Sequence, residues 1–521
     1  MRTRNPFSII ESSDFKHGIL FICVWIFLRL FFEGILEASH RIGFSNFSYR
    51  TLVMFFIHFP LFYLSLLLLL IIYIKLLTQE DIKKITNVSS IGLGLIILVP
   101  IIDWIIGKGY LITYPLRLKS YVLNFLNPTI SLTQIGVSPG QRIVIVIISI
   151  LLGLYVYSKT RNLIKSILAG FVSLLIIIFW GGLTTLISGN RPEKFYIPGG
   201  ILYTDTQKFA GIYAILFLIT LFIYLYYYNE IYFGLLIRSI RLRGMFLSGG
   251  LGLFGFLLAI LQKGAEYRPN PLNPLGIIII FLSLSFGFWT AQIINDLYDT
   301  EVDQNTQPRN PLLSGLPRRT YQKSGFILAV LAGVFGLLIN FASFLIILTI
   351  ILLSIVYSAP PVRLKRIPII STFILAGAVI LSVAIGYSVC YGNRVLNSLP
   401  PKLLIPTLVG VTFASSAKDI QNIVGDEKNN VITLPILLYQ KSSLGRFIFA
   451  LFVCLGYLSY LIFIPQVLPG AIICSIITIL YTLSIKNPKE WVYFLLLFFY
   501  ALYLGVEIIM NIKKILPQTI L

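Results

Sequence analysis

At 521 residues, 57 % of them hydrophobic and only 12 % charged, with a mean hydropathy of +0.89, the chain is too apolar for a soluble globular protein. Forty-one Lys and Arg against twenty Asp and Glu leave a net charge of +21. Such a balance can mark a nucleic-acid binder, but here the basic residues lie in short loops between apolar runs, without a basic domain or an aromatic nucleic-acid motif. No nucleic-acid partner is expected. Apolar runs of roughly 17 to 25 residues recur from end to end, each long enough to cross a bilayer core of ~30 Å as a helix. Strand-like alternation is missing, which argues against a barrel. The expected fold class is an all-α integral membrane protein.

The first apolar run follows 17 residues that include Arg2, Arg4 and Lys16, with no small-residue cleavage site after it. A retained span is expected rather than a signal peptide. About six spans precede position 231, near 18 to 37, 52 to 76, 91 to 106, 141 to 158, 163 to 187 and 207 to 230. Within the first, Arg29 and Glu33 are four residues apart, a spacing that allows a helix ion pair inside the membrane. Asp103 falls near a span end, where snorkelling to the interface accounts for it. Two long connections, about 107 to 140 and 188 to 206, contain Pro, Tyr and Gly and are expected to fold over a membrane face. The basic segment Arg238, Arg241, Arg243 marks a break, dividing the chain into residues 1–240, of unassigned function, and 241–521.

About nine further spans follow, near 245 to 262, 275 to 294, 324 to 340, 342 to 358, 370 to 390, 403 to 417, 444 to 464, 468 to 485 and 490 to 511. On alternate sides of these, Lys and Arg number 16 against 6, the richer side being that of the loops after 294, 358 and 417. The positive-inside rule places those loops in the cytoplasm; the first half shows no comparable bias. Cys23, Cys390, Cys454 and Cys474 all lie in predicted spans with neither paired nor zinc-like spacing, and are read as packing. His17, His40 and His58 all precede the second half, which therefore has no histidine for acid–base work or metal ligation.

Two acidic clusters share one spacing, 123 positions apart: Asp296, Asp299, Asp303 and then Asp419, Asn422, Asp426. On a helix advancing ~100° per residue, offsets of 0, 3 and 7 fall within about 60° of one face, so each cluster is expected to aim its oxygens one way. Hard divalent cations such as Mg²⁺ are held by one or two carboxylates plus substrate phosphates, and a diphosphate would complete such a site. A solvated acidic loop is the competing reading of either cluster alone; the repeated spacing on one predicted side favours function. Gly425 weakens the single-face argument in the second cluster. Between them, Tyr357-Ser358-Ala359-Pro360-Pro361-Val362-Arg363-Leu364-Lys365-Arg366 ends a span. In an extended segment Arg363 and Lys365 point the same way and suit phosphate oxygens, although positive-inside anchoring explains them equally well.

Together these three segments resemble the UbiA superfamily of intramembrane prenyltransferases, over roughly residues 245 to 521. The first motif of that family is matched by Asn295, Asp296, Asp299 and Asp303. The following Pro308-Arg309-Asn310-Pro311 is similar to its Pro-Arg-Pro-rich stretch. Its Tyr-Ser-x-Pro-Pro-x-Arg-x-Lys pattern is matched from Tyr357 to Lys365. The second motif is matched by Lys418, Asp419, Gly425 and Asp426, with Thr433-Leu434-Pro435 as continuation. Asn422 stands where members commonly have Asp; an amide oxygen still ligates Mg²⁺ but brings no charge.

The resemblance implies a bundle of about nine helices, here preceded by about six more. It implies Mg²⁺ as cofactor and an isoprenyl diphosphate bound through both motifs. The metal ligands would be Asp296, Asp299, Asp303, Asp419, Asn422 and Asp426, with Asn295, Arg363, Lys365, Lys418 and Tyr357 around the diphosphate. The partners expected are that diphosphate, a lipophilic acceptor and membrane lipid. For the acceptor, the family favours the aromatic ring of a quinone precursor. A glycerol-phosphate lipid or a tetrapyrrole side-chain acid is also possible, as is transfer of phosphoribose to a polyprenyl phosphate. The first half resembles no known family. A non-catalytic transporter or scaffold is the contrasting class, disfavoured because clustered carboxylates without a cation are costly.

Overall fold

The computed structural model describes residues 6–37, 48–107, 118–126, 137–189, 195, 197–263, 267–300, 310–421, 423, 427, 431–439, 442–485 and 487–511. Fourteen helices among these are long and apolar enough to cross a membrane. The chain divides into two compact units, Met1–Gly234 and Leu235–Leu521. It is a multi-pass, all-α integral membrane protein.

The first unit holds six of these spans: Phe15–Leu36, Tyr49–Thr78, Ile82–Gly107, Pro139–Thr160, Leu163–Ile187 and Asp205–Tyr228. Their starts are written locally. Ser138 with Gln141, and Thr204 with Gln207, form capping boxes, and Asp14, Asp81 and Asn162 cap three other helices. Inside the unit, polar side chains close on one another, as an apolar solvent demands: Trp180 Nε1 donates to Ser65 Oγ at 3.2 Å and Tyr213 OH to Trp180 O at 2.8 Å. Arg29 and Glu33 form the expected pair at 2.7 Å, with Arg29 fully buried. Asp103 differs from expectation. It does not snorkel but is buried, accepting from Gly140 N at 2.7 Å. The reason lies 37 residues away, at the exposed amides of a helix start. Within the first long connection, Leu118–Leu126 is a helix that packs on Leu163–Ile187. Cys454 and Cys474 are buried, Cys390 is half-buried, and Cys23 faces outward, which packing inside this chain does not explain.

The second unit holds eight spans: Leu242–Lys263, Asn273–Tyr298, Arg318–Ile339, Phe341–Ser358, Ile370–Ser398, Ser443–Ile462, Pro465–Ser484 and Glu490–Met510. The ninth expected, near 403 to 417, is a shorter helix, Pro401–Ala414, continued by the 3₁₀ segment Ser415–Asp419. Leu242–Lys263 and Ile370–Tyr391 pack closely because small residues meet there. A Cβ at Gly386 would overlap the Gly252 carbonyl, and one at Gly255 the Val383 carbonyl. Asn340 fixes the neighbouring register, capping Phe341–Ser358 through Ser343 N at 2.8 Å and donating to Ser388 O at 3.1 Å.

Candidate active site

The first motif sits at the end of Asn273–Tyr298, where the helix stops and Asp299 leaves helical geometry (φ −111°, ψ 12°). This separates two carboxylates that the periodicity placed on one face. Asp296, 1 % exposed, turns back into the bundle. Its Oδ1 accepts from Arg241 Nη2 at 2.8 Å. Its Oδ2 accepts from Tyr321 OH at 2.9 Å and, at 3.5 Å, from Gln292 Nε2. Asn310 Nδ2 donates to its main-chain carbonyl at 3.0 Å. Asp299 turns the other way: its Oδ1 accepts from Arg363 Nη2 at 3.0 Å and from Lys365 Nζ. The expected single face therefore does not hold for this pair. On a continuous helix three residues would leave the two about 60° apart; the helix end at Asp299 is what sends each to different partners.

The face that forms instead is Asn295 with Asp299, four residues apart. The Lys365 ammonium lies against both, touching Asp299 Oδ1 and standing 3.4 Å from Asn295 Oδ1. Arg363 reaches this place from a left-handed backbone (φ 43°, ψ 57°), a conformation that costs a non-glycine residue about 1–3 kcal/mol. Its guanidinium also donates to Tyr298 O at 3.3 Å. A left-handed backbone thus helps bring two cations to one carboxylate.

Ser358 and Tyr357, adjacent at the end of Phe341–Ser358, join the motifs. Ser358 Oγ donates to Asn295 Oδ1 at 3.3 Å, while Tyr357 OH accepts from Lys418 Nζ at 2.9 Å. Lys418 lies 3.9 Å from Asp419 and over the Tyr357 ring. Beyond its span, the Asp419 carboxyl is pushed above its ordinary range by burial, against the pull of the Lys418 charge. Glu490, opening the last helix, is in electrostatic reach of both. Asn295, Asp296, Asp299, Tyr357, Arg363, Lys365, Lys418 and Asp419 therefore gather at one end of the second unit. Asp303, Asn422 and Asp426 lie outside the described residues. Sequence reading missed Arg241, Gln292 and Tyr321 as partners of Asp296. Gln292, four residues before Asp296 on the same helix face, was the one signal available.

An oxygen set with a cation already against it suits a divalent ion. Asn295 Oδ1 and Asp299 Oδ1 are hard donors, and the ammonium between them stands in for positive charge at that place. Asp296 is not free to join them without leaving Arg241 and Tyr321. Among the described residues no three of Asp, Glu, His and Cys cluster as a metal site, so any ion held here needs oxygens from elsewhere, such as a substrate phosphate.

The match to the family model for the UbiA prenyltransferase family covers residues 253–508. These residues belong to the UbiA prenyltransferase family. The chain is an intramembrane prenyltransferase. Similar known proteins include the digeranylgeranylglyceryl phosphate synthase of Sulfolobus acidocaldarius, 27 % identical over 260 residues, or 49 % of this chain and 88 % of that one. The synthase of the same name from Pyrococcus horikoshii is 29 % identical over 211 residues, or 40 % of this chain and 70 % of its own. Among solved structures, a UbiA homolog from Archaeoglobus fulgidus bound to DMAPP and Mg²⁺ aligns over 53 % of this chain and 99 % of its own, at 17 % identity and a TM-score of 0.36. In this UbiA domain the three motifs read from the sequence all fall inside the matched residues.

Proposed function

We propose that the UbiA domain transfers a prenyl group from an isoprenyl diphosphate to a prenylated glyceryl phosphate lipid, in a Mg²⁺-dependent reaction at the cytoplasmic face. The observation that carries this reading is the shared ammonium of Lys365 against Asn295 and Asp299, beside a helix end whose Ser358 reaches Asn295 and whose Tyr357 reaches Lys418 of the second motif. Asn295 and Asp299 would hold the metal from the first motif and Asp419, Asn422 and Asp426 from the second, with Asp303 completing the set. Asp296 we assign to positioning, since its carboxylate is engaged with Arg241 and Tyr321.

Bound Mg²⁺ supplies charge that neutralises the diphosphate as it leaves. The chain's own cations do the rest. Lys365 and Arg363 exchange Asp299 for phosphate oxygens, Arg363 in bidentate fashion, and Lys418 swings from Tyr357 to the same group. The allylic C–O bond breaks with its electron pair on the diphosphate. The acceptor hydroxyl oxygen forms the new C–O bond and passes its proton to the released diphosphate. Apolar helix walls keep water from capturing the allylic cation.

Support for the acceptor comes from the relatives' names, which specify a glyceryl phosphate, against the aromatic ring that the family favours at large. Support for the membrane side is the excess of Lys and Arg on the motif-bearing loops. The test is diphosphate release by the purified chain in lipid with Mg²⁺, given geranyl or geranylgeranyl diphosphate and, separately, a singly prenylated glyceryl phosphate or an aromatic quinone precursor. A doubly prenylated glycerol lipid seen by mass spectrometry, absent with Asp299→Ala, is the expected result. A prenylated aromatic product alone would overturn the acceptor. Turnover of phosphoribosyl diphosphate with the prenyl C–O bond intact would overturn the donor chemistry.

A further inference from the structure

The first unit contains a cavity of about 320 Å³ that none of the motifs explains. It runs lengthwise between helices. Its wall on Tyr49–Thr78 extends from Phe59 to Ile74, and its wall on Pro139–Thr160 from Gln141 to Tyr155. At 1.5 Å per residue those walls are about 21–22 Å long, most of the ~30 Å bilayer core. That volume is the space open to the centre of a water-sized sphere; spread over the length it has a mean cross-section of about 15 Å², which with the sphere's ~1.4 Å radius added on each side is a bore of roughly 7 Å. A helix, at ~10 Å across, is excluded; a single extended hydrocarbon chain is not.

The cavity has a polar end. Arg29, 0 % exposed, lines it together with Gln141 and Tyr121. Arg29 pairs with Glu33 at 2.7 Å, Glu33 is in electrostatic reach of Asp103, and Asp103 accepts from Gly140 N, next to Gln141. Away from this end the wall is mostly Leu, Ile, Val and Phe, for example Leu67, Leu70, Val88 and Ile148, with Tyr63, Ser89 and Tyr155 among them. A guanidinium held inside a membrane unit is expensive and by default marks a binding function, and it suits an oxygen-bearing group.

We infer that the first unit binds one linear prenyl lipid, its chain along the cavity and its oxygen head group at Arg29. The site itself stands on the geometry of the first unit alone. Only the choice of a prenyl over an acyl chain rests on the prenyltransferase reading of the second unit. A binding site of this kind would hold a donor, acceptor or product of the same lipid class on the chain that uses it.

Photo-crosslinking tests the assignment. The full chain, in lipid nanodiscs, is exposed to a diazirine-bearing geranylgeranyl phosphate and, in parallel, to a diazirine-bearing palmitate, and the labelled residues are mapped by mass spectrometry. The expected result is prenyl label on lining residues between 59 and 74 and between 141 and 155, lost on addition of unlabelled geranylgeranyl phosphate. Gly92→Leu should abolish it, because Gly92 lines the cavity and a Cβ there meets nothing within 4 Å, so the side chain fills the space without forcing the helix. Ile148→Trp is a second filling variant from the opposite wall. Thermal unfolding of each variant establishes that it is folded. Label confined to outward-facing residues such as Ile164 and Phe171, or label on the lining that survives both filling variants, would overturn the site. Equal, competed labelling of the lining by palmitate would overturn the prenyl assignment. Diphosphate release is measured on the same samples, and its failure in the unsubstituted chain would refute the catalytic reading without touching the crosslinks.

Discussion

Replacing Asp296 by Ala should destabilise the second unit more than replacing Asp299 by Ala. Asp296 is 1 % exposed and its carboxylate takes bonds from Arg241 at 2.8 Å and Tyr321 at 2.9 Å. Losing it takes from the Tyr321 hydroxyl, on a fully buried residue, its carboxylate partner, with Ser239 as the side-chain neighbour that remains, and leaves Arg241 without its counter-charge. Hydrogen bonds to a charged group are worth ~1.5–3 kcal/mol each, and breaking a buried pair costs ~3–5 kcal/mol. The Arg241 side chain is 39 % exposed and can return to water, which lowers that figure. A loss of about 2–4 kcal/mol is expected. Asp299 is also largely buried, with Arg363 and Lys365 side chains only 17 % and 10 % exposed beside it, but both cations are long side chains beyond the helix end that can turn toward water or an anion, so its removal should cost less, about 1–2 kcal/mol. Activity should fall in both variants. Reversible unfolding of each in mixed detergent, followed by tryptophan fluorescence, measures the difference. Equal midpoints for the two variants would refute the division of roles and restore a common metal-facing set.

Lys365→Ala removes the ammonium from Asn295 and Asp299, and if the same ammonium meets the diphosphate, affinity for the donor should fall by about 10- to 100-fold with the fold intact. A change confined to the acceptor KM would contradict that role. In the first unit, Glu80 accepts from Lys84 at 2.9 Å, from Asp81 N at 3.2 Å and pairs with Lys159 at 3.3 Å; these bonds, led by Lys84, hold its carboxyl down to about 2. A depressed folded value gives stability that is present above the unfolded value of 4.5 and is lost as pH falls toward 2. The unfolding midpoint of the native chain should therefore exceed that of Glu80→Gln at neutral pH and converge with it in acid; a gap that stays constant with pH would count against the linkage.

What could be read early was local. Length and hydropathy located the spans because crossing a bilayer requires about twenty apolar residues in sequence, whatever they touch. The Arg29–Glu33 pair was legible for the same reason: its two members lie one helical turn apart. Asp103 was misjudged because its acceptor role depends on Gly140, on another helix. In the active site, the motif residues were legible as types and positions, and the Asp296–Asp299 face was not. Helical periodicity fails where the helix ends, and the ends are where these residues are.

The sequence by itself determined the membrane class, the approximate spans, the site-bearing loops and the family of the second half, since hydropathy and motif spacing are properties of contiguous residues. Tertiary structure decided that Asp299 meets Arg363 and Lys365 while Asp296 is held by Arg241 and Tyr321. Arg241 and Tyr321 stand 55 and 25 residues from Asp296, and Lys365 stands 66 from Asp299. It also produced the cavity of the first unit, which exists only as the space that several apolar walls leave between them. A packed interior is specified by the fit of surfaces distant in sequence, and no window along the chain contains both sides of that fit.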